Sequence, residues 1–164
     1  MKIASMALEG ISGHDAGRLL LRQLYRQETG GELPPILITD RGKPYFAEGD
    51  LHFSISHTDS VVFCVLSDRP VGIDAEPTDR NIDLKLADKI LSATEKKIFE
   101  KAADKRATLL KFWVLKEAQA KLTGRGWGSY LYKTDFDPDC TAIQIIDNCF
   151  VATIEDSINE LIES

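Results

Sequence analysis

No stretch of this chain stays apolar for long. The longest uninterrupted run, Val61–Leu66, is six residues, against the ~20 that a membrane-spanning helix needs, so no membrane association is expected. Cysteines are few and odd in number: Cys64, Cys140 and Cys149 have none of the spacings that hold zinc, and neither a disulfide framework nor a metal finger is expected. Cys64 falls inside a β-like run and reads as a small buried apolar residue. Positive charge is also short. Twenty Lys and Arg against 26 Asp and Glu give a formal charge of −6, which argues against nonspecific nucleic-acid binding, because that depends on cations neutralising phosphates. A small polyanion held in a local basic pocket remains open. Met1–Glu9 carries one basic residue and meets an acid too early for a secretory signal, so a cytoplasmic location is expected. Repeats, low-complexity segments and long linkers are lacking as well.

What is present is an ordinary globular composition, 43% apolar and 28% charged over 164 residues. That length fits a single domain, 1–164, or two small lobes sharing a core.

Patterning alternates between the two regular periods. Ile3–Leu8 reads as a strand, and Ser12–Gln27 as a helix with Ser12 as N-cap and Gly30-Gly31 as its stop. Ile36–Ile38 is a brief strand before a turn at Asp40–Pro44. Leu51, Phe53 and Ile55 alternate with His52, Ser54 and Ser56; a turn at His57–Ser60 leads to Val61–Leu66, and another at Ser67–Arg69 to Pro70–Glu76. An antiparallel hairpin of Val61–Leu66 with Pro70–Glu76 is predicted, which brings Ser56, His57, Asp74 and Glu76 to one edge. Leu84–Leu91 reads as helix, Ser92–Glu95 as a capping box opening a helix to about Ala103, and Asp104–Leu122 as the longest helix, stopped near Gly124. On that helix Trp113 reads as core and Lys116 as a surface charge. Gly124–Gly128 is a flexible loop carrying Arg125 and Trp127. Three β-runs, Lys133–Asp137, Ala142–Ile146 and Phe150–Ile154, precede a short terminal helix.

Two acidic signatures stand out, Gly72-Ile73-Asp74-Ala75-Glu76 and Trp113-Val114-Leu115-Lys116-Glu117-Ala118-Gln119-Ala120-Lys121. In an extended segment Asp74 and Glu76 project from one face, while on a helix Trp113, Glu117 and Lys121 stack along one side. Taken singly, the first is an ordinary solvated strand end and the second an ordinary helix ion pair. Together they offer three carboxylates to Mg²⁺, a hard ion that keeps waters and substrate phosphates in its shell, with Lys121 placed to neutralise phosphate oxygens.

The ordered series Gly42-Lys43-Pro44, Phe53-Ser54-Ile55-Ser56-His57, Gly72–Glu76 and Phe112–Lys121 resembles the motif set of the 4′-phosphopantetheinyl transferases. It is more similar to the surfactin-synthetase-type branch than to the short holo-acyl-carrier-protein synthase branch, and it is shortened at the N-terminus, where Met1–His14 holds one lysine and no arginine. The resemblance implies Mg²⁺-dependent transfer of the phosphopantetheine arm of coenzyme A to a serine of an apo acyl, polyketide or peptidyl carrier protein, releasing 3′,5′-ADP. It implies that Asp74, Glu76 and Glu117 hold the metal (Mn²⁺ being the substitute ion), that Lys121 contacts phosphate, and that Lys43, Ser56, His57 and Arg18 bind coenzyme A. Glu117 is the candidate proton acceptor, directly or through a water, with Asp74 as an ordering ligand. Fatty-acid, polyketide and nonribosomal peptide synthesis are the pathways such carriers serve.

The fold expected is α+β, with two pseudo-equivalent lobes at about 1–68 and 69–164, each a small antiparallel sheet packed with a long helix. A monomer follows if both lobes complete the cleft; the rival is a trimer sharing sites at its interfaces. The rival function is a noncatalytic coenzyme A or carrier-protein-binding relative.

Overall fold

Ser12 opens the first helix by accepting the Asp15 N–H at 3.1 Å, and Gly30 closes it in the left-handed conformation at φ +71°, a backbone state that a side chain would strain. In the computed structural model, which describes residues 1–156, this helix is α1 (Gly13–Thr29), preceded by β1 (Lys2–Ala7). The strands β2 (Ile36–Ile38), β3 (Pro44–Phe46), β4 (His52–His57), β5 (Val61–Ser67) and β6 (Val71–Pro77) follow. A 3-10 turn, Leu84–Leu86, leads into α2 (Ala87–Ile90), α3 (Ala93–Lys101) and α4 (Lys105–Thr123), and β7 (Ile143–Ile146) and β8 (Cys149–Glu155) complete the described elements. The capping box at Ser92 and Glu95 is formed in both directions.

The strands make small antiparallel sheets, one in the order β1-β5-β4, another β6-β8-β7, with β2 and β3 as a separate pair. The chain is therefore α+β. Side-chain alternation then sets the layers. Val62, Cys64 and Leu66 of β5 pack with Phe53 of β4 against Ala16, Leu20, Leu21 and Leu24 of α1. The opposite face of β5, Phe63 and Val65, meets Val71, Ile73 and Ala75 of β6 and Cys149 and Val151 of β8. Buried on both faces, β5 reads as a continuous apolar run rather than an alternating one. On the far side of the second sheet, Phe150 and Ala152 pack under Leu109, Leu110, Val114 and Ala118 of α4. The order is helix, sheet, sheet, helix.

The seam between the sheets differs from the predicted hairpin. β5 pairs with β1 and β4, whereas β6 leaves it to pair with β8. β4 instead lies beside the free edge of β6, and its side chains replace a ladder: Ile73 N–H donates to Ser54 Oγ at 3.1 Å and Ala75 N–H to Ser56 Oγ at 3.2 Å. A buried strand edge must have its N–H groups satisfied, and the two serines do this. Two further expectations change. Lys133–Asp137 is the end of a turn followed by irregular backbone rather than a strand, with Lys133 N–H and Thr134 N–H both turned back to the Tyr130 carbonyl. Pro44–Phe46 is a strand that composition had hidden in a turn. The predicted terminal helix lies outside the described residues.

Lys116 is not a surface charge. It is fully buried and paired with an equally buried Glu95 at 2.8 Å, and its ammonium also donates to the Leu131 carbonyl at 2.6 Å. Glu95 accepts the Ser92 N–H at 2.8 Å and the Phe136 N–H at 3.0 Å. One ion pair thus ties α3, α4 and the 131–136 segment together. A buried pair of this kind is tolerated only when its remaining valences are filled as they are here.

Candidate active site

β6 carries its apolar residues toward the sheet seam, so Gly72, Asp74 and Glu76 face α4 by alternation. Gly72 is the contact point: a Cβ there would meet the Ala118 carbonyl oxygen at 2.0 Å, so α4 lies directly on the strand backbone. That approach brings Lys121 Nζ to 2.7 Å from Asp74 Oδ1. Ser56 Oγ donates to the same oxygen at 3.0 Å. Asp74 is only 6% exposed, and its other oxygen, Oδ2, is buried with no hydrogen-bond partner among the described residues. An unpaired buried carboxylate oxygen is costly and calls for an explanation.

The two other acids sit in range of Asp74. Burial pushes the Glu117 carboxyl above its ordinary value; the Trp127 hydrogen bond pulls it down, the Asp74 charge raises it, and Lys121 and Arg80 lower it. Burial likewise pushes Glu76 up, opposed by Arg80 and the neighbouring Trp113 indole and assisted by the charges of Asp74 and Glu117. Each acid has its own partner within the chain: Glu76 pairs with Arg80, and Glu117 Oε1 accepts the Trp127 indole N–H at 2.5 Å. Among the described residues no group of three acidic, histidine or cysteine side chains is placed to hold a metal ion. Mg²⁺ does not need one, since it is bound through one or two carboxylates plus substrate phosphates and waters. The all-oxygen donor set, the mutual repulsion of the three acids and the free Asp74 Oδ2 fit such an ion.

A cleft of about 340 Å³ opens beside these groups, lined by Lys43, Ser54, Glu117, Lys121 and Trp127 among others. That is within the size range of small-molecule pockets. Lys43 reaches it from the turn before β3, its ammonium bound to the Leu122 carbonyl at the end of α4 and its stem against Gly124. Burial lowers its pKa. Arg41, Lys43 and Arg125 line an adjoining groove.

The structure therefore brings together Lys43, Asp74, Glu117 and Lys121, with Ser56 behind Asp74 and Glu76 further along the strand. Ser56 is buried, accepting from Ala75 N–H while donating to Asp74. His57 is not part of this group: it projects from the opposite face of β4, against Gly13 at the start of α1, where an added Cβ would lie 2.5 Å from its ring. Arg18 lies elsewhere too, beside Arg22 and Glu32 in a separate surface cleft. Sequence reading gave no role to Arg80 or Trp127 and did not pair Glu95 with Lys116. The signal for Lys116 was available, since Leu109, Phe112, Lys116 and Ala120 recur at helical spacing on a buried stripe. The signal for Arg80 was its position four residues after Glu76.

A seam of carboxylates and lysines thus lies between a strand and a helix, beside a cleft, on an α+β scaffold. A family model for the 4′-phosphopantetheinyl transferase superfamily matches residues 70–153, which include β6, α4 and most of β8. The chain belongs to that superfamily. It is 34% identical over 114 residues to the 4′-phosphopantetheinyl transferase gsp of Aneurinibacillus migulanus, covering 67% of this chain and 47% of the relative. It is 32% identical over 115 residues to psf-1 of Bacillus pumilus, covering 67% and 49%. To HetI of Nostoc sp. it is 32% identical over 121 residues, covering 68% and 51%. The chain spans about half the length of these curated relatives.

Proposed function

We propose that this chain transfers the 4′-phosphopantetheine arm of coenzyme A to a serine of an apo acyl, polyketide or peptidyl carrier protein, and releases 3′,5′-ADP. The observation that carries the reading is the buried Asp74 Oδ2, unpartnered among the described residues, whose carboxylate is paired with Lys121 in the wall of a cleft that also holds Glu117 and Lys43. Membership of the superfamily supports it. Asp74, Glu76 and Glu117 are the residues that would hold Mg²⁺, which when bound neutralises pyrophosphate charge.

In the reaction the serine oxygen attacks the phosphorus that bears the pantetheine arm, the bond to the bridging oxygen breaks, and 3′,5′-ADP leaves with that electron pair. Little covalent help is needed beyond alignment and charge neutralisation. Lys121 and Lys43 supply fixed positive charge. Glu117, whose burial raises its basicity, takes the serine proton directly or through a water.

The same reading takes the protein as a cytoplasmic monomer whose pseudo-equivalent lobes, 1–68 and 69–164, complete one cleft. Two three-stranded sheets, one packed with α1 and the other with α4, support it. Among the described residues no helix is long and apolar enough to cross a membrane.

Incubation with coenzyme A, MgCl₂ and a panel of apo carrier proteins tests the proposal by intact mass. Addition of the arm to a carrier serine is expected, and its loss in Asp74→Ala and Glu117→Ala. Calorimetric binding of coenzyme A with no transfer to any carrier in the panel would instead make the chain a noncatalytic relative.

A further inference from the structure

The two tryptophans of this chain are stacked on each other at the carboxylate site. Trp113 and Trp127 have ring centroids 5.2 Å apart with planes at 31°. The Arg80 guanidinium that pairs with Glu76 lies 5.8 Å from the Trp113 ring, and Trp127 donates its indole N–H to Glu117 Oε1 at 2.5 Å. The loop that delivers Trp127 is held at both ends. The Tyr130 hydroxyl donates to the Gly126 carbonyl at 2.7 Å, and Lys116 grips the Leu131 carbonyl from the buried pair with Glu95.

We propose that Trp127 is a positioning residue for Glu117, holding Oε1 so that Oε2 is presented to the divalent ion. The inference rests on the metal reading above and deepens it. A carboxylate has two oxygens and about four acceptor sites. With one oxygen fixed by an indole that is itself fixed by stacking, Glu117 loses the freedom to rotate away from Asp74. Hydrogen bonds to ligating carboxylates from groups that do not touch the metal set the ligand's direction, and their removal typically weakens metal binding 10–100-fold. Tryptophan combines a large flat stacking face with a ring N–H donor. Phenylalanine at 127 keeps the stack and deletes the donor.

The test is calorimetric titration of MgCl₂ into the full chain with coenzyme A present, for wild type and Trp127→Phe, beside their thermal unfolding curves. Trp127→Phe is expected to unfold near the wild-type temperature and to bind Mg²⁺ about 10–100-fold more weakly. In transfer assays its half-saturating Mg²⁺ concentration is expected to rise by the same factor. Equal Mg²⁺ affinity in the two proteins overturns the inference and leaves the metal reading standing. A second measurement needs no variant. Because tryptophan emission comes wholly from this stack, wild-type fluorescence is expected to change saturably with the calorimetric midpoint; flat emission through a binding isotherm also overturns the inference. No Mg²⁺ binding by wild type removes both the inference and the metal reading.

Discussion

Gly72 and Ala118 touch through their backbones. The absent Cβ of Gly72 would lie 2.0 Å from the Ala118 carbonyl oxygen and 2.6 Å from the Leu122 nitrogen, so the distance between β6 and α4 is set by a missing side chain. Everything at the site depends on that distance, because Asp74 is two residues along the strand and Lys121 three along the helix.

Gly72→Ala is therefore expected to push α4 off the strand. Overpacking of this kind costs about 1–3 kcal/mol, and it should also separate Lys121 from Asp74 and abolish transfer. Gly31→Ala is the control, since a Cβ there meets only Thr29 Oγ1 at 3.5 Å. Denaturant unfolding of both variants decides: equal midpoints would show that α4 can give way at no expense.

Lys116→Met should be the more damaging change to the scaffold. It leaves Glu95 as an uncompensated charge with 0% exposure, a situation worth about 3–5 kcal/mol. Chemical denaturation reads the loss directly. A loss below about 1 kcal/mol, the scale of an exposed ion pair, would mean that the Lys116–Glu95 contact is not the anchor described here.

Glu76 and Glu117 give a pH dependence whose sign follows from burial. Both carboxyls titrate above their ordinary value of 4.5, so the native chain retains protons there that the unfolded chain has released. Their contribution to stability is fully present below the unfolded value and is lost as pH rises through the folded ones. In chelator, the metal-free chain should lose this contribution as pH rises above about 4.5. Glu117→Gln keeps an acceptor oxygen for Trp127 but carries no charge. It is expected to be more stable than wild type at neutral pH by about 0.5–2 kcal/mol, the usual exchange between stability and function, and to be inactive. Denaturation series at about pH 5 and about pH 7.5 check this, and an unchanged pH dependence in Glu117→Gln would refute it.

How much of this was legible in the residues depends on whether the signal was local. Ser12, Gly30 and the Ser92–Glu95 box announced helix ends because capping is a contact between near neighbours. Asp74, Glu117 and Lys121 were legible as faces of a strand and a helix for the same reason. Strand pairing was not, since β5 and β6 are adjacent in sequence yet belong to different sheets, and nothing within Val61–Glu76 says that β8, some seventy residues on, takes the partner's place. That error put His57 on the Ser56 edge. Alternation along β4 sends the two residues to opposite faces, and the packing of Ile55 and His57 against Gly17 and Gly13 settles which face is which. Trp127 was visible only as an indole in a glycine loop; its stacking on Trp113 is a tertiary fact.

The seam between β4 and β6 separates a structural serine from one that also serves the site. Ser54 accepts the Ile73 N–H, whereas Ser56 accepts the Ala75 N–H and donates to Asp74. Either alanine variant leaves a buried backbone N–H unsatisfied, at about 1–3 kcal/mol, so Ser54→Ala and Ser56→Ala should be destabilised to a similar degree. They should part company in Mg²⁺ affinity. Ser56→Ala removes a neutral donor from Asp74 Oδ1 and leaves Lys121 as its one partner among the described residues, which frees the carboxylate to turn and is expected to shift Mg²⁺ affinity several-fold, while Ser54→Ala leaves it near wild type. Calorimetry on the two variants provides the comparison, and identical shifts in both would mean that the seam acts on the metal only through the spacing of the sheets.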